Sequence, residues 1–147
     1  MCQSPYEQHR DILLDGKYST AYLLQDFVLH QYDSGQYPFD ASRHLCGFDS
    51  RHLQIYKDLK QFYWDNGPSK EHGDTALAII AKRTAEAQAN FDELTVLRAT
   101  NPADYPTEEG GNPAASHRYA LEVCELHHKR YSEMGFPITS PSPGIQV

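Results

Sequence analysis

The sequence predicts an all-α fold: a single compact bundle of about five helices with one short helical turn and an extended C-terminal tail. Three observations carry that expectation. Apolar residues recur at steps of three and four through several long stretches. Ser, Asp or Asn stands near the start of these stretches, and Gly or Pro stands where they stop. No stretch has the strict apolar–polar alternation of a half-buried strand. One domain is expected over residues 1–135, with residues 136–147 as a flexible Pro/Ser-rich tail.

The first helix is announced by Ser4-Pro5-Tyr6-Glu7, where Ser4 is placed to cap, Pro5 suits the first helical position and Glu7 completes a capping box. Ile12, Leu13 and Leu14 form its apolar end, and Gly16 stops it. A second helix is expected from about Thr20 to Asp33. Its wide apolar stripe, Tyr22, Leu23, Leu24, Phe27, Val28, Leu29 and Tyr32, suits a central position. Tyr37-Pro38 breaks the chain, because proline disfavours helical dihedrals in the residue before it. A third helix, Ser50 to Asp65, carries Leu53, Tyr56, Leu59, Phe62 and Tyr63 and closes at Asn66-Gly67-Pro68.

Asp74 is expected to cap the longest helix, which runs to about Thr100 and would be roughly 40 Å long. Leu77, Ile80, Thr84, Ala87, Phe91 and Leu94 form a heptad-like seam along it, expected as the core stripe of a bundle helix and otherwise the surface through which a homodimer would form. Residues 101–116 make the longest loop, rich in Pro, Gly and acidic residues. The last helix starts near Asn112-Pro113 or Ser116 and ends at Gly135.

Charge and composition narrow the function. Twenty acidic residues against thirteen basic ones give a formal net charge of −7, with no basic stripe. Direct nucleic-acid binding is therefore disfavoured, and a protein partner with a basic surface is favoured. Ten tyrosines and six phenylalanines suit partly wet interfaces. No apolar run approaches the roughly 20 residues of a membrane-spanning helix. Cys2, Cys46 and Cys124 are an odd set without C-x-x-C spacing, and no signal-peptide pattern precedes them, so a cytoplasmic protein with free thiols is expected.

Eight histidines invite a search for metal chemistry. On the last helix His117, Leu121, Cys124 and His128 fall along one edge, and Cys124 and His128, one turn apart, have a chelating spacing. Two further ligands would have to come from other helices. A metal-dependent helical enzyme using Cys124, His128 and distant histidines is thus the competing expectation. The favoured one packs Cys124 as a small hydrophobe, with no metal and no cofactor. Glu125-Leu-His-His128 contains a single Glu-x-x-His, whereas di-iron bundles need two such motifs plus two more helical glutamates. Glu125 is expected to pair with Lys129 one turn on. In His72-Gly73-Asp74 a glycine separates His from Asp, so a loop histidine before a capping aspartate is expected. No nucleophile-elbow or phosphate-loop motif occurs.

Acidic residues gather around one aromatic: Asp104, Tyr105, Glu108 and Glu109 in the long loop, with Asp92 and Glu93 on the helix before it. They are the candidate partner-binding residues, with Tyr105 as anchor and the carboxylates facing a basic groove.

The string FDASRHLCGFDSRHL, residues 39–53, nearly repeats itself. A doubled Asp-Ser-Arg-His could be a paired ligand site or two helix starts. With Asp49 as cap, Phe48 and Leu53 fall at the two positions of a hydrophobic staple; Asp40 caps in the first copy, where an inserted Ala41 shifts the register. Helix starts explain the doublet without a ligand. Tyr37-Pro38-Phe39-Asp40, Leu45 and Phe48-Asp49, following the apolar second helix, resemble a small helical domain of unknown function. That domain occurs in proteins of bacterial plasmids, integrative elements and phages. The resemblance covers about residues 20–65 and implies a genomic setting rather than a reaction. A non-enzymatic accessory protein of a mobile element is therefore expected, in its sharpest form an anti-CRISPR-like host-defence inhibitor occupying a basic nucleic-acid-binding surface.

Overall fold

Capping chemistry decides where the helices begin. In the computed structural model, which describes residues 3–145, Ser4 Oγ accepts the Glu7 backbone N–H and starts α1 (Pro5–Gln8). A π-helical turn at Asp11–Asp15 follows, then α2 (Ser19–Tyr32), α3 (Ala41–His44) with a 3-10 turn at Leu45–Gly47, and α4 (Ser50–Asn66). The longest helix is α5 (Lys70–Ala99); a 3-10 turn at Pro102–Asp104 leads to α6 (Pro113–Glu133). No strand occurs among the described residues, and the fold is all-α, as expected. The chain divides within α5 into two compact units, one up to Lys82 and the other from Arg83 onward.

Both halves of the doublet are helix starts. Asp40 accepts the Arg43 N–H at 3.3 Å and Asp49 accepts the His52 N–H at 2.8 Å. Phe39 packs on Phe27 (5.2 Å between ring centroids), and Phe48 meets Tyr56 edge-on at 6.4 Å. The second copy does more than cap. Asp49 also accepts from His52 Nδ1 (2.7 Å), leaving Nε2 to accept the Tyr18 hydroxyl at 2.8 Å. The histidine thereby ties the start of α4 to the entry of α2.

The first unit gives most of its buried polar groups partners, as an interior must; His9 Nε2 is an exception, buried without one. Tyr6 is fully buried; its hydroxyl donates to Gln31 Oε1 (2.8 Å), and Gln31 Nε2 donates to the Leu59 carbonyl (3.2 Å). Gln25 Nε2 donates to two carbonyls, that of Ile12 in the π-helical turn and that of Gly16 just after it, both at 3.0 Å. Gly16 is required by close approach: a Cβ there would lie 2.6 Å from both Ala21 Cβ and the Ile12 oxygen.

Two expectations about α5 are corrected. The helix starts at Lys70 rather than at Asp74, because Ser69 Oγ accepts the His72 N–H at 3.1 Å. Asp74 instead pairs with Lys70 one turn away, at 2.6 Å. His72 is accordingly helical and buried rather than a loop residue. Its Nε2 donates to the Val28 carbonyl at 3.2 Å, and its ring lies against Tyr6 and Tyr63 at 4.9 and 5.2 Å.

The seam also differs. The buried residues of α5 are His72, Thr75, Ala76, Ile79, Arg83, Ala87, Leu94 and Leu97, whereas Leu77 and Thr84 face solvent. The residues read as one seam therefore fall on two faces. Arg83 is the reason: only 2% exposed, it occupies a core-facing position that apolar periodicity does not count. Its guanidinium meets Met134 Sδ at 3.6 Å and lies 5.8 Å from the centre of the Phe136 ring.

In the second unit α6 begins at Asn112, whose side chain accepts the Ala115 N–H, and stops in a Schellman turn. Gly135 there has φ 99°, with Phe136 N–H bonded to the Tyr131 carbonyl and Gly135 N–H to that of Ser132. Phe136 is buried, and the extended segment beyond it is tied back to α5 by Ser140 and Ser142.

Two stability predictions follow from these contacts. Gly16→Ala should lower unfolding free energy by about 1–3 kcal/mol in thermal or urea denaturation, as overpacking does. Gly47→Ala, where an added Cβ meets nothing within 4 Å, is the near-neutral control. Burial lowers the pKa of His72 below its ordinary 6.5, against the opposing Val28 bond; half-buried His9 shifts the same way, first by burial. The unfolded chain then takes up these protons more readily than the folded one. Their contribution to stability is complete above about pH 6.5 and is lost as pH falls below it. Urea titrations from about pH 7.5 to about 5.5 should show this decline, and His72→Phe should flatten it. An unchanged slope in that variant assigns the effect elsewhere.

Candidate protein-docking site

The second unit carries a concave surface of about 640 Å³ between the C-terminal half of α5, the loop after it and α6. Its lining is mainly apolar with a few polar groups: Asn90 and Glu93 from α5, Tyr105 from the loop, and Ser116, Tyr119, Val123, Cys124 and His127 among the residues from α6. Beneath it Leu94, Leu97 and Cys124 form the local core, with Tyr105, Ala120 and Leu121 packed against them.

The loop is positioned by local chemistry at each end. Asn101 Oδ1 accepts the Ala103 N–H (3.1 Å) and starts the 3-10 turn, with Pro102 at its first position. Tyr105 follows it, half-buried, its ring edge-on to His117 at 5.7 Å. His117 is itself buried, and Nε2 donates to the Leu97 carbonyl at 2.7 Å. Further on, a turn closed by Gly111 N–H to the Glu108 carbonyl (2.9 Å) presents Glu108 and Glu109 to solvent, with Gly110 at φ 82°.

The six acidic-patch residues do not form one cluster. Glu93 and Tyr105 line the same concavity. Asp104, Glu108 and Glu109 are exposed on the loop and are not among the lining residues given above. Asp92 points to the C-terminal segment, where it accepts the Ser142 N–H at 2.7 Å, the Ser142 hydroxyl at 2.6 Å and Gln88 Nε2 at 3.0 Å. These bonds, the Ser142 hydroxyl foremost, hold its carboxyl below the ordinary range. Tyr105 is packed inward, so the tyrosine presented outward is Tyr119, 71% exposed.

Tyr119 was not singled out by sequence, nor were Asn90, Ser116 and His127. The row 117, 121, 124, 128 drew attention through its histidines and cysteine, but in α6 it carries the buried His117 and Cys124. The adjacent row, Ser116, Ala120, Val123 and His127, has the same three- and four-residue steps and lines the concavity. That row was readable as spacing; nothing in the residue types marked it.

The candidate metal ligands are also separated in role. The Cys124 thiol is pushed up in pKa by burial first and by the Glu93 carboxylate second, so it stays protonated, a poor ligand. His128 lies tilted against Phe91, 5.1 Å between ring centroids. Among the described residues no three His, Cys, Asp or Glu side chains come together in a metal-binding group. Glu125 reaches Arg98 at 3.8 Å rather than Lys129, which lies 3.9 Å from Glu133.

Compared with protein-family models, curated proteins and solved structures, the chain matches none. The all-α fold and the tyrosine-edged concavity are thus the features on which a functional assignment stands.

Thiol chemistry tests the geometry at Cys124. A thiol-reactive reagent on the native protein should modify exposed Cys46 quickly and Cys124 only in denaturant, with sites mapped by peptide mass. Rapid native labelling of Cys124 would contradict the packing described.

Proposed function

We propose that this protein is a non-enzymatic accessory protein that acts in the cytoplasm by binding another protein through its second unit. The observation that carries this reading is the concavity bearing Tyr105, Tyr119 and Glu93, next to a loop that exposes Asp104, Glu108 and Glu109. Tyrosine supplies contact area at small entropic cost, and carboxylates at the rim steer a basic surface into register. The net charge of −7 adds a long-range attraction of the same sign.

Within that class we favour a product of a mobile genetic element that inhibits a host-defence system, of the anti-CRISPR kind, by occupying a basic nucleic-acid channel. The resemblance over residues 20–65 supports the genomic setting, and the acidic face supports the target chemistry. Such a protein would compete with nucleic acid rather than bind it.

Affinity capture from the native host followed by quantitative binding tests the assignment. Reversing Glu108 and Glu109 to Lys should weaken the captured partner at least about tenfold at low salt, with a smaller loss at high salt. Tyr119→Ala should weaken it without altering the salt dependence. If the charge-reversed protein binds its partner as tightly as wild type at low salt, the acidic loop is not the docking face.

A further inference from the structure

Asp92 carries the same charge as the loop carboxylates, yet both of its oxygens are taken by its own chain. Ser142 donates its N–H to Oδ1 and its hydroxyl to Oδ2. Gln88 Nε2 bridges the same carboxylate and the Ser140 carbonyl, each at 3.0 Å. A basic partner would make the same kind of bonds to Asp92, from an ammonium or guanidinium, and would make them more strongly.

We infer that residues 137–144 form an autoinhibitory strap that closes over Asp92 and must open before a basic partner reaches it; this rests on the docking role proposed above. The strap has a fixed end and a labile one. At the fixed end the Schellman turn and buried Phe136 set the direction in which the chain leaves α6. Beyond it Pro137, Thr139, Ser140, Pro141, Pro143 and Gly144 are all exposed and Ile138 is only half-buried, so opening uncovers little apolar surface. Closure therefore depends chiefly on the hydrogen bonds at Asp92 and Gln88, and segments held in this way open locally well below the global unfolding free energy. The prolines keep the strap extended, which lowers the entropy lost each time it closes.

The full chain is compared with Ser142→Ala and Asp92→Asn by amide exchange along the strap, and by titration with a lysine octapeptide at low salt. Ser142→Ala should raise exchange at residues 140–142 and tighten peptide binding, each by at least about tenfold, the size set by losing one charge-assisted bond. Asp92→Asn should open the strap without the gain in affinity, since it removes the charge that opening exposes. Unchanged exchange in both variants overturns the closure. Faster exchange in Ser142→Ala with wild-type affinity, or an equal gain in Asp92→Asn, overturns the inhibitory role; the docking role stands in either case if reversal of Glu108 and Glu109 weakens the peptide. A peptide that binds no variant, even with the strap open, removes the docking role and the inhibition with it.

Discussion

The hydrogen bond from His117 Nε2 to the Leu97 carbonyl, 2.7 Å long and buried, is the contact on which the candidate site depends. The last turn of a helix leaves carbonyls without intrahelical partners. Here the Leu97 carbonyl, which also accepts the Thr100 N–H at 3.2 Å, is met from α6, so the start of α6 is set against the end of α5. The same imidazole backs the Tyr105 ring, and Tyr105 ends the 3-10 turn that aims the acidic loop. Asn90 makes a comparable bond further along, from Nδ2 to the Cys124 carbonyl at 3.0 Å. With both ends of the helix pair held by polar bonds, the surface between them stays concave without a large apolar filling.

The first unit applies the same device. Gln25, Gln31 and His72 each donate to a backbone carbonyl of another element, and Tyr6 is locked through Gln31. Burial pushes the Tyr6 phenol's pKa well up, with Tyr63 adding to it, so the hydroxyl stays protonated and remains a donor. A chain that is only 39% hydrophobic can support such cores, because these polar groups replace lost hydration with specific bonds. The consequence is sensitivity: removing one partner leaves the other buried and unsatisfied, and the structure has few neutral core substitutions to offer.

Electrostatics separates the two ends of the second unit. At the loop end the carboxylates of Asp104, Glu108 and Glu109 are exposed and available. At the tail end Asp92 is bonded to Ser142, so its charge is partly satisfied internally. The second unit thus holds open acids on its loop and an occupied one beside its tail. The aromatic residues follow a similar division: Tyr105 is committed to the interior, and Tyr119 to solvent.

Sequence alone determined the helical class, most helix boundaries and the meaning of the doublet. Those depend on local rules, the 3.6-residue period, capping by Ser4, Asp40, Asp49 and Asn112, and termination at Gly16, Gly67 and Gly135, and each acts within a few residues. It misjudged the start of α5, which Ser69 caps in place of Asp74, with His72 buried against the Val28 carbonyl. It misjudged the face of α5, because Arg83 fills a core position that hydropathy assigns to solvent. Only the tertiary structure decided which acids share a surface, that Tyr119 rather than Tyr105 is presented, and that Asp92 is already bonded. Partners such as Asp92 and Ser142, or His117 and Leu97, stand fifty and twenty residues apart. Their pairing is set by packing between elements, and no local periodicity encodes it.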